Sequence, residues 1–87
     1  MDKKLALIGI IVNNRENVDQ LNEILHEYGD FIMGRMGVPY HEQKMSVISI
    51  VIDAPETIIR ELSDKLSTLS YVSSKTIYAK EEDEFTH

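Results

Sequence analysis

Apolar side chains run almost unbroken through residues 4–13 and again through residues 45–53. A strand with one face on a core and the other in water alternates apolar and polar positions. These two stretches do not alternate. In the later one, Ile48, Ile50 and Ile52 mark one face while Met45, Val47 and Val51 mark the other. Both therefore predict central strands that are apolar on two sides. Residues 31–40 and 71–79 are more mixed, with Gly34, Arg35, Gly37 and Pro39 in the first and Ser73, Ser74 and Lys75 in the second. Edge strands tolerate such content, because a missing or unpaired backbone donor there can face solvent.

Helical spacing separates the strands. Over residues 16–28, Val18, Leu21, Ile24, Leu25 and Tyr28 recur at three and four residue intervals, opposite Asp19, Asn22, Glu23 and Glu27. Asn13 or Asn14 suits the N-cap of this helix, and Gly29 suits a left-handed C-terminal cap. Over residues 55–69 the stripe is Ile58 or Ile59, Leu62, Leu66 and Leu69, and Asp53 with Glu56 resembles a capping box. The order is βαββαβ. Right-handed crossovers interleave the two halves into an α+β, ferredoxin-like sandwich: a four-stranded antiparallel sheet in spatial order 4-1-3-2, with both helices on one face. The apolar second face of the central strands then needs a cover. Self-association through the sheet, as a homodimer or homotetramer, is the expected one.

Composition narrows the function. The chain has 87 residues and no cysteine, which fits one module spanning residues 1–80 and removes disulfides, thiolate metal sites and cysteine nucleophiles. No apolar run approaches the roughly 20 residues of a transmembrane helix, and no cleavable leader follows Met1, so a cytoplasmic protein is expected. Net charge is −6, but Glu81, Glu82, Asp83 and Glu84 carry much of it. Without them, nine basic residues stand against eleven acidic ones, or −2 for residues 1–80. Residues 81–87 read as a disordered acidic tail that could dock a protein partner, and direct nucleic-acid binding is not expected.

Catalytic signatures are missing. The seven serines occupy no elbow or glycine-flanked turn, and His26, His41 and His87 show no spacing that aims two imidazoles at one metal. His41, between Tyr40 and Glu42, could join a metal or anion site across a symmetric interface, or be an ordinary hairpin residue. The turn after the first strand contains no glycine and so lacks a phosphate cradle. What it offers is Asn13, Asn14 and the Arg15 guanidinium at a helix start, a set suited to an organic anion, although helix capping explains the asparagines as well. Gly37 marks close approach by a ligand or backbone, or a local kink. Arg35 either reaches solvent or meets an acid such as Glu42. The candidate ligand-binding set is therefore Asn13, Asn14, Arg15, Arg35 and Gly37, with no cofactor expected and no enzyme.

Several segments together carry a family resemblance over residues 7–76. They are Arg15-Glu16, Asn22-Glu23-Ile24-Leu25-His26, Arg35-Met36-Gly37-Val38-Pro39 with Glu42, Met45, Leu62-Ser63-Asp64-Lys65-Leu66, and Lys75-Thr76. The chain resembles the iron-only hydrogenase system regulators, whose fold is similar to ACT domains and to the C-terminal domain of the nickel-responsive regulator. The resemblance implies a regulatory role near hydrogenase maturation or expression, and no reaction. ACT domains that bind amino acids carry an Asp-x-Pro-Gly type turn, which Asn13-Asn14-Arg15-Glu16 does not match. The several histidines and the cysteine that bind nickel are not matched either. Nothing before Leu5 is long enough for a DNA-binding segment, so control of transcription would run through a partner. Two functions compete: a non-catalytic domain sensing a small ligand at a subunit interface, and a protein-interaction or scaffold module without one.

Overall fold

A computed structural model describes residues 2–13 and 18–80. The elements are β1 (Lys3–Val12), α1 (Val18–Glu27), β2 (Ile32–Tyr40), a single 3-10 turn (His41–Gln43), β3 (Met45–Pro55), α2 (Glu56–Ser67) and β4 (Val72–Tyr78). The four strands form one antiparallel sheet in the order β2-β3-β1-β4, the expected ferredoxin-like arrangement with the two most apolar strands in the centre. Residues 81–87, Asn14 and Arg15 lie outside the described residues.

The core lies between the sheet and the helices. Ala6, Ile8, Ile10 and Val12 of β1 alternate inward, and Ile48, Ile50, Ile52 and Ala54 of β3 pair with them in register, for instance Ile8 with Ile50. Against them pack Leu21, Leu25 and Tyr28 from the first half and Ile59, Leu62, Leu66 and Leu69 from the second. The β-branched residues suit the pleat, and the leucines at three and four residue spacing suit the helices.

The two halves repeat one another. Leu21, Leu25 and Tyr28 have counterparts 41 residues later in Leu62, Leu66 and Leu69, all buried. The exits match as well: the Phe31 N–H donates to the Tyr28 carbonyl at 3.0 Å, and the Val72 N–H to the Leu69 carbonyl at 3.1 Å. This repetition was readable in the leucine spacing.

Two expected caps are replaced. No glycine has a positive φ, so Gly29 is not a left-handed cap. Instead α1 tightens as it ends, with the Tyr28 and Gly29 N–H groups donating to the Leu25 and His26 carbonyls at 3.1 Å. A Cβ at Gly29 would approach the His26 carbonyl oxygen to 3.3 Å, a reason for glycine that does not involve φ. Asp53 does not form a capping box, because β3 continues to Pro55 through pairing of Lys3 with Pro55 and Leu5 with Asp53. Pro55 occupies the N-cap, where no side-chain hydrogen bond forms. Glu56 turns instead to Lys4 at 3.2 Å and Arg60 at 2.7 Å.

Candidate functional site

Strand pairing sorts every sheet residue onto one of two faces. The face without helices carries Leu5, Leu7, Gly9 and Ile11 from β1 and Met45, Val47, Ser49, Val51 and Asp53 from β3. The edge strands add Met36, Val38 and Tyr40 on one side and Ser73, Lys75 and Ile77 on the other. Leu7 is 40%, Ile11 41%, Val47 41% and Ile77 61% exposed, so this is a contiguous apolar surface open to solvent. A sheet four strands wide and about nine residues long presents roughly 600 Å² per face, the upper end of what soluble monomers leave uncovered.

The candidate polar residues lie elsewhere. Arg35 pairs with Ile50, which places it on the helix side of β2, and its Nη2 donates to Asn22 Oδ1 of α1 at 2.7 Å. The expected acid, Glu42, is not that partner: helix α1 reaches the guanidinium first and supplies a neutral amide oxygen. Gly37 lies two residues along the same face. A Cβ there would sit 3.9 Å from the Val47 carbonyl oxygen, an ordinary contact, so no neighbouring backbone within the chain demands glycine. Gly34 follows a register shift after Ile32, the bulge that edge glycines often mark.

Asn13 ends β1 and uses its N–H on the Tyr71 carbonyl at 2.8 Å. Two strands and five residues separate it from Arg35, roughly 19 Å by strand geometry. One subunit thus unites Arg35 with Gly37 and leaves Asn13 apart. His41 opens the 3-10 turn. Among the described residues no group of three or more His, Asp or Glu converges as for a metal. No helix among them is long and apolar enough to cross a membrane.

Reasoning from sequence missed three contacts. Asn22 with Arg35 fastens α1 to edge strand β2, and Ser63 Oγ with Thr76 Oγ1, also at 2.7 Å, fastens α2 to edge strand β4. Each pair is thirteen residues apart in sequence, which reflects the internal repeat. Third, Tyr28 donates its hydroxyl to Glu61 Oε1 at 2.6 Å beneath Lys65, whose Nζ lies 5.2 Å from the ring centre. Burial, and then the Glu61 hydrogen bond, push the Tyr28 phenol above its ordinary value. These contacts clamp helices to each other and to the sheet.

A family model described as "TM1266-like: Iron-only hydrogenase system regulator, putative" matches residues 4–76. The chain belongs to the TM1266-like family. Its structure is similar to that of the uncharacterized protein TM1266 from Thermotoga maritima, with 35% identity, a TM-score of 0.87, and coverage of 91% of this chain and 100% of that one. The description gives the TM1266-like family a regulatory role. More distant likenesses show the shared fold alone. One is to a formyltetrahydrofolate deformylase from Pseudomonas putida KT2440, at 11% identity and a TM-score of 0.57, covering 88% of this chain and 29% of that one. Another is to CPII, a nitrogen regulatory PII-like protein from Thiomonas intermedia K12 bound to ADP, AMP and bicarbonate, at 16% identity and a TM-score of 0.51, covering 92% and 100%. No match was found among curated proteins. The stretches that first pointed to the family contain both helix-to-strand fasteners, Asn22 with Arg35 and Ser63 with Thr76.

Proposed function

We propose that this chain is a non-catalytic, cytoplasmic regulatory module that assembles with itself through its open sheet face and senses a small organic anion where subunits meet. The open apolar face carries the reading. Leu7, Ile11, Val47 and Ile77 stay 40 to 61% exposed in the isolated chain, and covering them removes apolar surface from water at about 25 cal/mol per Å². Asn13, Asn14, Arg15, Arg35 and Gly37 are the ligand residues of this proposal. Because Asn13 and Arg35 lie far apart in one subunit, and Arg35 and Gly37 sit on the helix side of edge strand β2, a shared ligand would need residues from neighbouring copies that meet at the sheet edge, at the rim of the assembly. Binding there would favour one subunit arrangement over another and so alter partner binding. CPII, on the same fold, is bound to ADP, AMP and bicarbonate, which makes adenine nucleotides and bicarbonate the first ligands to test.

A second reading, an interaction module without a small ligand, has one observation in its favour. Arg35 already meets Asn22 within the chain, so its guanidinium is partly satisfied. Native mass spectrometry with light scattering, on protein purified gently from its own cytoplasm, separates the two. An oligomer with a reproducible added mass supports the sensor, and a clean oligomer supports the interaction module. A clean monomer defeats self-assembly and both readings that depend on it.

A further inference from the structure

The open face has a gap at its middle. Gly9 lies in the most central part of β1, between Ser49 of β3 and Lys75 of β4. Along its own strand the side chains on either side are Leu7 and Ile11. A row across the sheet therefore passes from Met36 through the small Ser49 and the bare Gly9 to Lys75, flanked by Val51, Leu7 and Ile77 on one side and by Val38, Val47 and Ile11 on the other. The result is a furrow lined chiefly by Gly9, Ile11, Val47, Ser73 and Lys75.

Nothing inside the chain requires glycine at this position. Gly9 does not have a positive φ, and a Cβ built there meets no atom within 4 Å. Glycine in the middle of a central strand weakens it, having neither β-propensity nor a side chain to pack. Gly29 differs, since a Cβ there would meet the His26 carbonyl oxygen; Gly34 is as open as Gly9 but lies at a register shift on an edge strand, whereas Gly9 sits in regular pairing on a central one. The space at Gly9 opens only outward, onto the apolar face.

Resting on the self-assembly reading above, we infer that the Gly9 furrow is the seat for an aliphatic side chain from a second copy of this chain, and that the missing side chain at Gly9 sets how closely the two sheets approach. The second copy is favoured by area and by charge. Two such faces together bury roughly 1,200 Å², the size at which specific, stable interfaces begin. The face also carries both signs of charge, Lys75 on β4 and Asp53 on β3, displaced to either side of Leu7. A twofold partner whose axis crosses the line between Lys75 and Asp53 at right angles brings the lysine of each copy toward the aspartate of the other, whereas a polyanion or an anionic lipid surface would meet Asp53 unfavourably.

The test compares association of the full wild-type chain, Gly9→Val and Val47→Lys by sedimentation across a concentration series, with circular dichroism and thermal melting to follow the fold. Valine at position 9 enters open space and favours a strand, so Gly9→Val keeps the wild-type spectrum and, at concentrations where both chains are separated, melts no lower. Its association weakens by at least about tenfold, because a filled furrow holds the sheets apart. Val47→Lys places a charge on the open face, in the furrow's wall, and dissociates the assembly whether or not the furrow is the seat. If Val47→Lys separates the copies while Gly9→Val associates like wild type, the furrow is not the seat and self-assembly through the face stands. A wild-type chain that is monomeric at every concentration, or that gains only a small molecule or a different protein, overturns both.

Discussion

The two faces of the sheet are built from the same residues on the same strands and meet opposite surroundings. Ile8, Ile10, Ile50 and Ile52 are fully buried beneath the helices, while Leu7, Ile11 and Val51, one position away, face outward. The strands therefore carry apolar groups in excess of what their own helices can cover. Where both sides of a strand are apolar and only one is covered within the chain, the second side is the surface that the proposed self-association would cover.

Substitutions on the two sides should separate those roles. The largest effect falls on the covered face. Ile50→Ala leaves a cavity among fully buried groups and is expected to cost about 4 kcal/mol of folding stability, measured by urea denaturation. An equal loss from Val51→Ala would show that the two faces do not differ. Next comes Leu7→Asp on the open face, expected to change folding of the separated chain by under about 0.5 kcal/mol while weakening self-association by roughly 3 kcal/mol. Sedimentation and melting at matched concentrations give both numbers.

A smaller effect tests how the helices are held on the covered face. Ser63→Ala leaves the Thr76 hydroxyl without its partner and should cost about 1 kcal/mol, whereas the pair Ser63→Ala with Thr76→Val removes both groups and should recover part of that loss. An additive double variant would show that the bond does not couple α2 to β4. Smallest is an acid effect at the rim. Hydrogen bonds from Lys4 and then Arg60 hold the Glu56 carboxyl below its ordinary value of 4.5. A carboxyl depressed in the folded state adds stability that is fully present above its unfolded value and fades as pH falls through the folded one. Glu56→Gln should therefore reduce the melting temperature slightly at neutral pH and remove this part of the loss below pH 4.5. Parallel melting curves for the two chains across that range would discard the idea.

Much of the fold was legible because it rests on short-range patterns. Strand and helix periods and the two apolar faces follow from residues spaced two, three or four apart, and the β2-β3-β1-β4 order follows from right-handed crossovers between those elements. What could not be read was decided by competition between neighbours. Asp53 looks like a cap by its distance to Glu56, yet pairing with Leu5 keeps it in the strand. Gly29 looks like a left-handed cap, yet a tightened helix end makes the turn with ordinary φ. Arg35 was expected to reach solvent or to meet an acid; it is exposed, and its partner is the neutral Asn22 on a different element, thirteen residues earlier. The proposed ligand set was the least legible part, because Asn13 and Arg35 lie on different strands far apart in one subunit and no spacing within the sequence joins them. Gly9 stands between these cases. Its place in a strand was plain, but only the empty space around it showed that no neighbour in the chain explains it.

The pairing of β1 has a consequence for how the protein comes into being. It is the earliest of the four strands to leave the ribosome, yet its neighbours are β3, beginning at Met45, and β4, beginning at Val72. Neither half of the internal repeat can complete its pairing while the other is unmade, so β1 gains its first neighbour only when β3 has emerged and its second only with β4. A nascent chain halted before β4 would hold an Ile- and Leu-rich strand with one edge still bare, a surface that chaperones bind and that neighbouring nascent chains can join.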